Sequence, residues 1–162
     1  MAVLRWPAAR HRLGRSFGRL IGGWPIWMHR MRLGRLVGGR YLVVTSIGRR
    51  SGATRRAAVM VLRQSPVTGE LFVVAGDHRT AWFRNVCEAP AVEIWHGKRR
   101  FRPLQRLLTG EEIAELLLTI RREHPREARI QAAFFGWPWP ATADQVRSLA
   151  ASLGGVAFRP AD

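Results

Sequence analysis

Apolar spacing along the chain changes near residue 40. Before it, Leu13, Phe17, Leu20 and Ile21 fall at i, i+4, i+7 and i+8, the stripe of one helical face, with Arg12, Arg15 and Arg19 off that stripe. After the Gly22-Gly23 break, Trp24, Trp27, Met28 and Met31 repeat the pattern beside Arg30, Arg32 and Arg35. From residue 41 short runs rich in β-branched residues take over. Tyr41–Ile47, Ala57–Gln64, Leu71–Ala75, Ala91–His96 and Arg99–Leu108 read as strands, with turns at Ser65–Gly69 and Gly97-Lys98. Ala81–Glu88 reads as a short helix with Trp82, Phe83 and Val86 inward, ended by Pro90; Cys87, beside Val86, reads as a small core residue.

Thr109 and Glu112 have capping-box spacing and open a helix through Ile113, Leu116, Leu117 and Ile120, which Pro125 stops. Ala132–Pro140 is rich in aromatics and proline. Thr142 with Gln145 repeats the capping spacing for a last helix, ended by Gly154-Gly155, after which Val156–Phe158 returns as an edge strand. Short strands joined by hairpin turns, with few helices, predict a mainly β fold with α decoration, a small barrel and not a doubly wound sheet. The division is a basic amphipathic helical segment at 1–38 and a β-barrel domain at 39–160.

Charge sharpens this picture. The chain carries 27 basic residues against 11 acidic ones, for a net charge of +16, and only Lys98 is a lysine. Met1–Gly69 holds fourteen arginines and no acid. That asymmetry calls for a polyanionic partner: nucleic acid, an anionic membrane face, or a ligand bearing phosphate and carboxylates. Arginine beside Trp, Phe and Leu in the first 40 residues is the make-up of a helix in a membrane interface, where each cation adds about 1 kcal/mol on an anionic leaflet. The same stripe would equally serve packing on the barrel or on a second subunit.

Arginines or prolines break every apolar run before a membrane-spanning length, no secretory pattern is legible at the N-terminus, and Cys87 is the single cysteine. These features predict a cytoplasmic protein, with peripheral contact on the inner face of the membrane as an option. His11, His29, His78, His96 and His124 have no ligand spacing, so no metal is expected. No Ser-His-Asp set, Gly-x-Gly-x-x-Gly or Walker-type loop is present.

Between the first two strands lies Gly48-Arg49-Arg50-Ser51-Gly52, followed by Arg55 and Arg56. Glycines that allow close approach, backbone N–H groups, a hydroxyl and several guanidinium forks are the equipment for holding a phosphate. A hairpin turn with solvated arginines fits the same spacing.

Strand, GRRSG and Arg55, followed by Ala81-Trp82-Phe83-Arg84-Asn85-Val86 and then Ala89-Pro90-Ala91-Val92, resemble the two signatures of the deazaflavin (coenzyme F-420)-dependent nitroreductase family, over roughly residues 25–160. The resemblance implies a split β-barrel of the FMN-binding, pyridoxamine-oxidase-like type. It implies reduced coenzyme F-420, a deazaflavin with a phosphodiester and several glutamates in its tail, as cofactor, with FMN as the alternative. By the same resemblance Arg49, Arg50, Ser51, Gly52 and Arg55 hold the phosphate and tail. Ala57, Ala58, Val59 and Met60 line the ring with backbone, Gly76 and Asp77 meet the ring or its linker, and Trp82 and Asn85 close the pocket. The loop after the third strand is short, and the chain's only tyrosine is Tyr41. Where the family's best-known members place tyrosines against the substrate, this chain has His124, Phe134, Phe135, Trp137 and Trp139.

The expected reaction is hydride transfer from the reduced cofactor to a flat apolar acceptor such as a quinone or nitro compound, with His124 as the candidate proton donor. A non-catalytic flavin or deazaflavin carrier and a basic nucleic-acid-binding module are the alternatives, the latter not expected because the aromatics of 1–40 fall on helical stripes. A homodimer is compatible with a split barrel.

Overall fold

A computed structural model describes residues 39–139 and 141–161; the N-terminal helical segment expected at 1–38 lies outside the described residues. Among the described residues seven strands occur: β1 (Tyr41–Ile47), β2 (Thr54–Gln64), β3 (Leu71–Ala75), β4 (Glu93–His96), β5 (Arg99–Phe101), β6 (Pro103–Leu108) and β7 (Gly154–Pro160). Four described helices accompany them: α1 (Ala81–Glu88), α2 (Gly110–Glu123), α3 (Pro125–Phe135) and α4 (Ala143–Ala150). All strand pairs are antiparallel, in the order β5-β4-β1-β2-β3-β7-β6.

That order closes the sheet. β5 and β6 stand at its opposite ends, yet only Arg102 separates them. A one-residue link spans at most about 7 Å, so the sheet curls until its ends meet. The run Arg99–Leu108, expected as one strand, is therefore two short strands that pair with different neighbours.

Curling is assisted by an irregularity in β2. Val61 pairs with Val73, but Arg63 pairs with Phe72, which leaves Leu62 as the extra residue. A bulge bends a strand and interrupts its alternation. Val59 and Val61 face the barrel interior, whereas Leu62 joins a second apolar cluster beneath α2 and α4. The interior holds Leu42, Val44, Val73, Phe83, Val86, Ile94, Val156 and Phe158; the second cluster holds Val74, Ile113, Leu117, Ile120, Val146 and Leu153. β3 thus buries both faces, which is why Leu71–Ala75 is an unbroken apolar run.

Four local expectations change. Val156–Phe158 belongs to β7, which lies between β3 and β6 and not at an edge. Gly154 and Gly155 open that strand: a Cβ at Gly154 would lie 2.4 Å from Phe83 Cε1, and one at Gly155 2.9 Å from Ile113 Cδ1. Here glycine answers close packing by α1 and α2. Pro125, read as a stop, is also the first residue of α3, where a missing N–H costs nothing. Cys87 is exposed, because α1 turns Trp82, Asn85 and Val86 toward the barrel and Cys87 falls past that arc. Both capping boxes form, at Thr109/Glu112 and Thr142/Gln145. No described helix is long and apolar enough to cross a membrane.

Candidate functional site

The β1–β2 connection folds back on itself. Gly48 N–H donates to the Ala53 carbonyl at 2.8 Å, while the Gly48 carbonyl accepts from Ser51 and Gly52 N–H at 3.2 and 2.8 Å. Gly52 sits at φ +64°, in the left-handed region that favours glycine. At Gly48 an added Cβ would meet Ser51 Oγ at 3.0 Å and the Ala53 carbonyl at 3.2 Å, so its smallness keeps the bend tight.

α1 packs against this bend and braces it. Asn85 is buried. Its Oδ1 accepts from Arg49 N–H at 3.4 Å and from the Arg49 guanidinium at 3.5 Å, and its Nδ2 donates to Ser46 Oγ at 3.4 Å. Gln105 fixes the far end of α1, accepting from Ala91 N–H at 2.8 Å and donating to the Val86 carbonyl at 2.9 Å. Trp82 stands edge-on to Phe83, ring centroids 5.9 Å apart, and packs partly buried on the barrel core.

Between bend and helix lies a cleft of about 330 Å³. Arg49, Arg50, Ser51, Arg55, Ala57, Trp82 and Asn85, all expected at the site, line it, together with Ser46, Gly48, Arg56 and Ala81. None of its four arginines takes part in an ion pair among the described residues, and no carboxylate lines the cleft. Ala81 opens α1, whose first turn contains no acid and whose N-cap Thr80 makes no side-chain cap bond. The free N–H dipoles of that helix start add to the positive potential.

The remaining expected residues fall around the cleft. Ala57–Met60 pair with β1 on one side, whereas pairing with β3 begins only at Val61. On the β3 side, Ala57 and Ala58 have no strand partner among the described residues. The side chain of Val59 is in the core. Extending the β2–β3 register past Val61–Val73 sets Asp77 level with Ala57 across this opening. Asp77 Oδ1 accepts from Arg79 N–H at 2.5 Å, and the Asp77 carbonyl accepts from Thr80 N–H at 3.1 Å, which shapes the exposed Gly76-Asp77 loop into α1.

His124 is not brought to the cleft. It is exposed at the α2–α3 corner, next to Glu123, whose carboxylate binds Arg63 at 2.9 Å. Arg63 lies eight residues along β2 from Arg55, about 26 Å at strand rise. Arg56 is the lining residue that strand alternation hides: neighbours on a strand belong to opposite faces, yet Arg55 and Arg56 both line the cleft. Ser46 was masked by its place inside an apolar run.

A family model described as F420H(2)-dependent quinone reductase matches residues 28–133, more than half of the chain, and the chain belongs to that family. It is accordingly an oxidoreductase that uses reduced coenzyme F-420. A pyridoxamine 5'-phosphate oxidase-related, FMN-binding protein from Nostoc punctiforme is similar in structure, with a TM-score of 0.50 at 18% identity, over 96% of this chain and 82% of that one. That likeness shows the fold. A solved F420-H2 dependent reductase aligns at 19% identity and TM-score 0.44, over 73% of this chain and 93% of the other. No curated protein matches the chain significantly.

Proposed function

We propose that the cleft between the GRRSG bend and α1 holds the phosphate of reduced coenzyme F-420, and that the enzyme passes its hydride to a flat, apolar, quinone-like acceptor. The observation that supports this most is the donor set: four arginines without carboxylate partners among the described residues, the start of a helix and a hydroxyl around one cleft. A phosphodiester suits these groups, because guanidinium forks and amide N–H groups satisfy its oxygens without a proton change. Bound there, the reduced deazaflavin supplies the hydride.

The chain's residues supply binding and alignment. Asn85 aims Arg49. Arg50, Ser51 and Arg55 close on the anion from the exposed side. The backbone of Ala57 and Ala58, without a β3 partner, offers hydrogen-bonding groups to a planar heterocycle, with Val59 and Met60 beside it. Trp82 and the Gly76-Asp77 loop flank that backbone and exclude water, which holds donor and acceptor within about 3–3.5 Å. His124, at the other end of β2, has no role in this arrangement. Family membership in a reductase supports turnover over the carrier alternative. A cytoplasmic enzyme whose basic aromatic N-terminal segment rests on an anionic membrane would meet quinones where they dissolve.

Titration of the apo-protein with deazaflavin and with FMN, for wild type and for an R49A/R50A/R55A variant, tests this reading. Wild type should prefer the deazaflavin, and the variant should lose at least about 100-fold in affinity for it. Unaltered affinity in the triple variant would overturn the assignment. Menadione added to enzyme and reduced cofactor should be reduced to its hydroquinone while the cofactor returns to its oxidised, coloured form; no turnover would leave the carrier alternative.

A further inference from the structure

α3 is apolar on two sides. Ala128 and Phe135 pack on the second apolar cluster, and Ala132 is buried with them. At helical spacing Arg126, Ile130, Ala133 and Phe134 fall on the opposite side, and all four are exposed. Ile130 is 56% exposed and Phe134 47%; Trp139, just past the Gly136 that ends the helix, is 38% exposed. Three of the eight large apolar side chains left exposed among the described residues thus sit within ten consecutive positions, which makes a patch and not scatter. Packing holds it in place: Phe134 stands edge-on to Phe135 with ring centroids 5.1 Å apart, and Phe135 stacks on Trp137 at 4.5 Å.

The rim of this patch is cationic. Arg126 and Arg129 belong to α3, and Arg121 of α2 lies over the Trp139 ring, 5.6 Å from its centroid. None of the three is in an ion pair among the described residues. The nearby acids are already engaged, Glu123 with Arg63 at 2.9 Å and Glu127 with Arg40 at 4.0 Å. The second of these pairs also locates the start of the described chain, which begins at Gly39 and passes beside the first turn of α3. Charge decides what can cover such a face. Residues 1–38 carry arginines and no acid, and a second copy docking by the same face would bring the same arginines. Either occupant sets like charges against each other at the rim. An anionic lipid surface brings the opposite charge, and its headgroup zone accepts Ile, Phe and Trp side chains.

We propose that the outward face of α3, with Trp139 and the arginines around it, is a second membrane-contact surface, which takes an anionic leaflet. Ile130, Phe134 and Trp139 enter the headgroup zone, and the guanidinium groups meet lipid phosphates. The proposal rests on the reading in which the N-terminal segment lies on a membrane, and adds to it a contact made by the folded domain. Because Arg40 ties the start of the described chain to α3, segment and patch meet one bilayer, and together they fix how the barrel is turned toward it.

The test uses the full-length protein with the environment-sensitive dye NBD on a single cysteine. One sample carries it at position 134, in C87S/F134C; the other carries it on the native Cys87, exposed on α1 at the far end of β2 from α3. With phosphatidylglycerol vesicles the dye at 134 should shift to the blue and brighten at least about twofold, while the dye at Cys87 stays aqueous. Phosphatidylcholine vesicles should change neither. I130Q/F134Q should weaken binding to phosphatidylglycerol about tenfold, with an unaltered melting temperature because both side chains are exposed. Protein that pellets with phosphatidylglycerol while the dye at 134 stays aqueous would overturn the α3 surface and leave the N-terminal reading standing. Absence of any pelleting would sink both. A dye at 134 that is shielded before vesicles are added would also overturn the proposal: shielding that survives dilution assigns the face to residues 1–38, and shielding lost on dilution assigns it to a second copy.

Discussion

Gly154→Ala adds one methyl group at the seam where α1 sits on the barrel. The Cβ would lie 2.4, 2.5 and 2.6 Å from Phe83 Cε1, Cζ and Cδ1. Carbon atoms rest at about 3.5–4.0 Å, so the ring must retreat by about 1 Å. It has little room, because Phe83 is 8% exposed and packed among Val73, Val86 and Val156. Overpacking of this kind costs about 1–3 kcal/mol. For a chain of this size each kcal/mol lowers Tm by about 2–4 °C, so the variant should melt about 2–12 °C below wild type. Thermal and urea unfolding followed by circular dichroism would measure it. The damage should also reach function, since α1 carries Trp82 and Asn85 of the cleft. Anion affinity should fall in G154A, and F83L in the same chain should return part of the lost stability, a coupling of about 0.5–3 kcal/mol. A G154A protein that melts within about 1 °C of wild type, or an F83L/G154A pair whose costs simply add, would refute the packing argument.

Other consequences can be checked separately. If Asn85 acts through Arg49, N85A and R49A should each weaken deazaflavin binding, and the double variant should bind no worse than R49A; additive losses would mean that Asn85 touches the ligand itself. The Thr109 backbone N–H, donating at 2.8 Å, and the Arg106 guanidinium, at 2.5 Å, hold the Glu112 carboxyl below its ordinary range. A folded pKa below the unfolded one gives stability that is present above the unfolded value and lost as pH falls through the folded value. Melting temperature should therefore fall from about pH 5 downward, less steeply in E112Q; parallel curves would disprove the contribution. T45V removes a buried hydroxyl that has no hydrogen-bond partner among the described residues and should stabilise the fold by up to about 1 kcal/mol, whereas a loss would show that the hydroxyl is satisfied.

The apolar alternation, the turn residues and the two capping boxes are written locally, in spacings of two to four residues. They were legible for that reason: β1, β3, α1 and the starts of α2 and α4 follow from them. The arginine-rich bend was equally legible, because glycines, hydroxyl and guanidinium forks are contiguous in the chain. What binds to what across the barrel was not. Arg49 and Asn85 are 36 residues apart, and their contact depends on α1 seating on the barrel, where Phe83 packs against Gly154 and Gln105 holds the far end. Arg102 looks like one more strand residue, but closure of the sheet makes it the joint between two of them. Arg56 reads as the solvated twin of Arg55 until strand pairing sets it between the cleft and Trp95. Side-chain chemistry along the chain gathered glycines, a hydroxyl and guanidinium forks suited to an oxyanion into one bend. Barrel closure, a long-range event that no local period encodes, decided which groups meet around it.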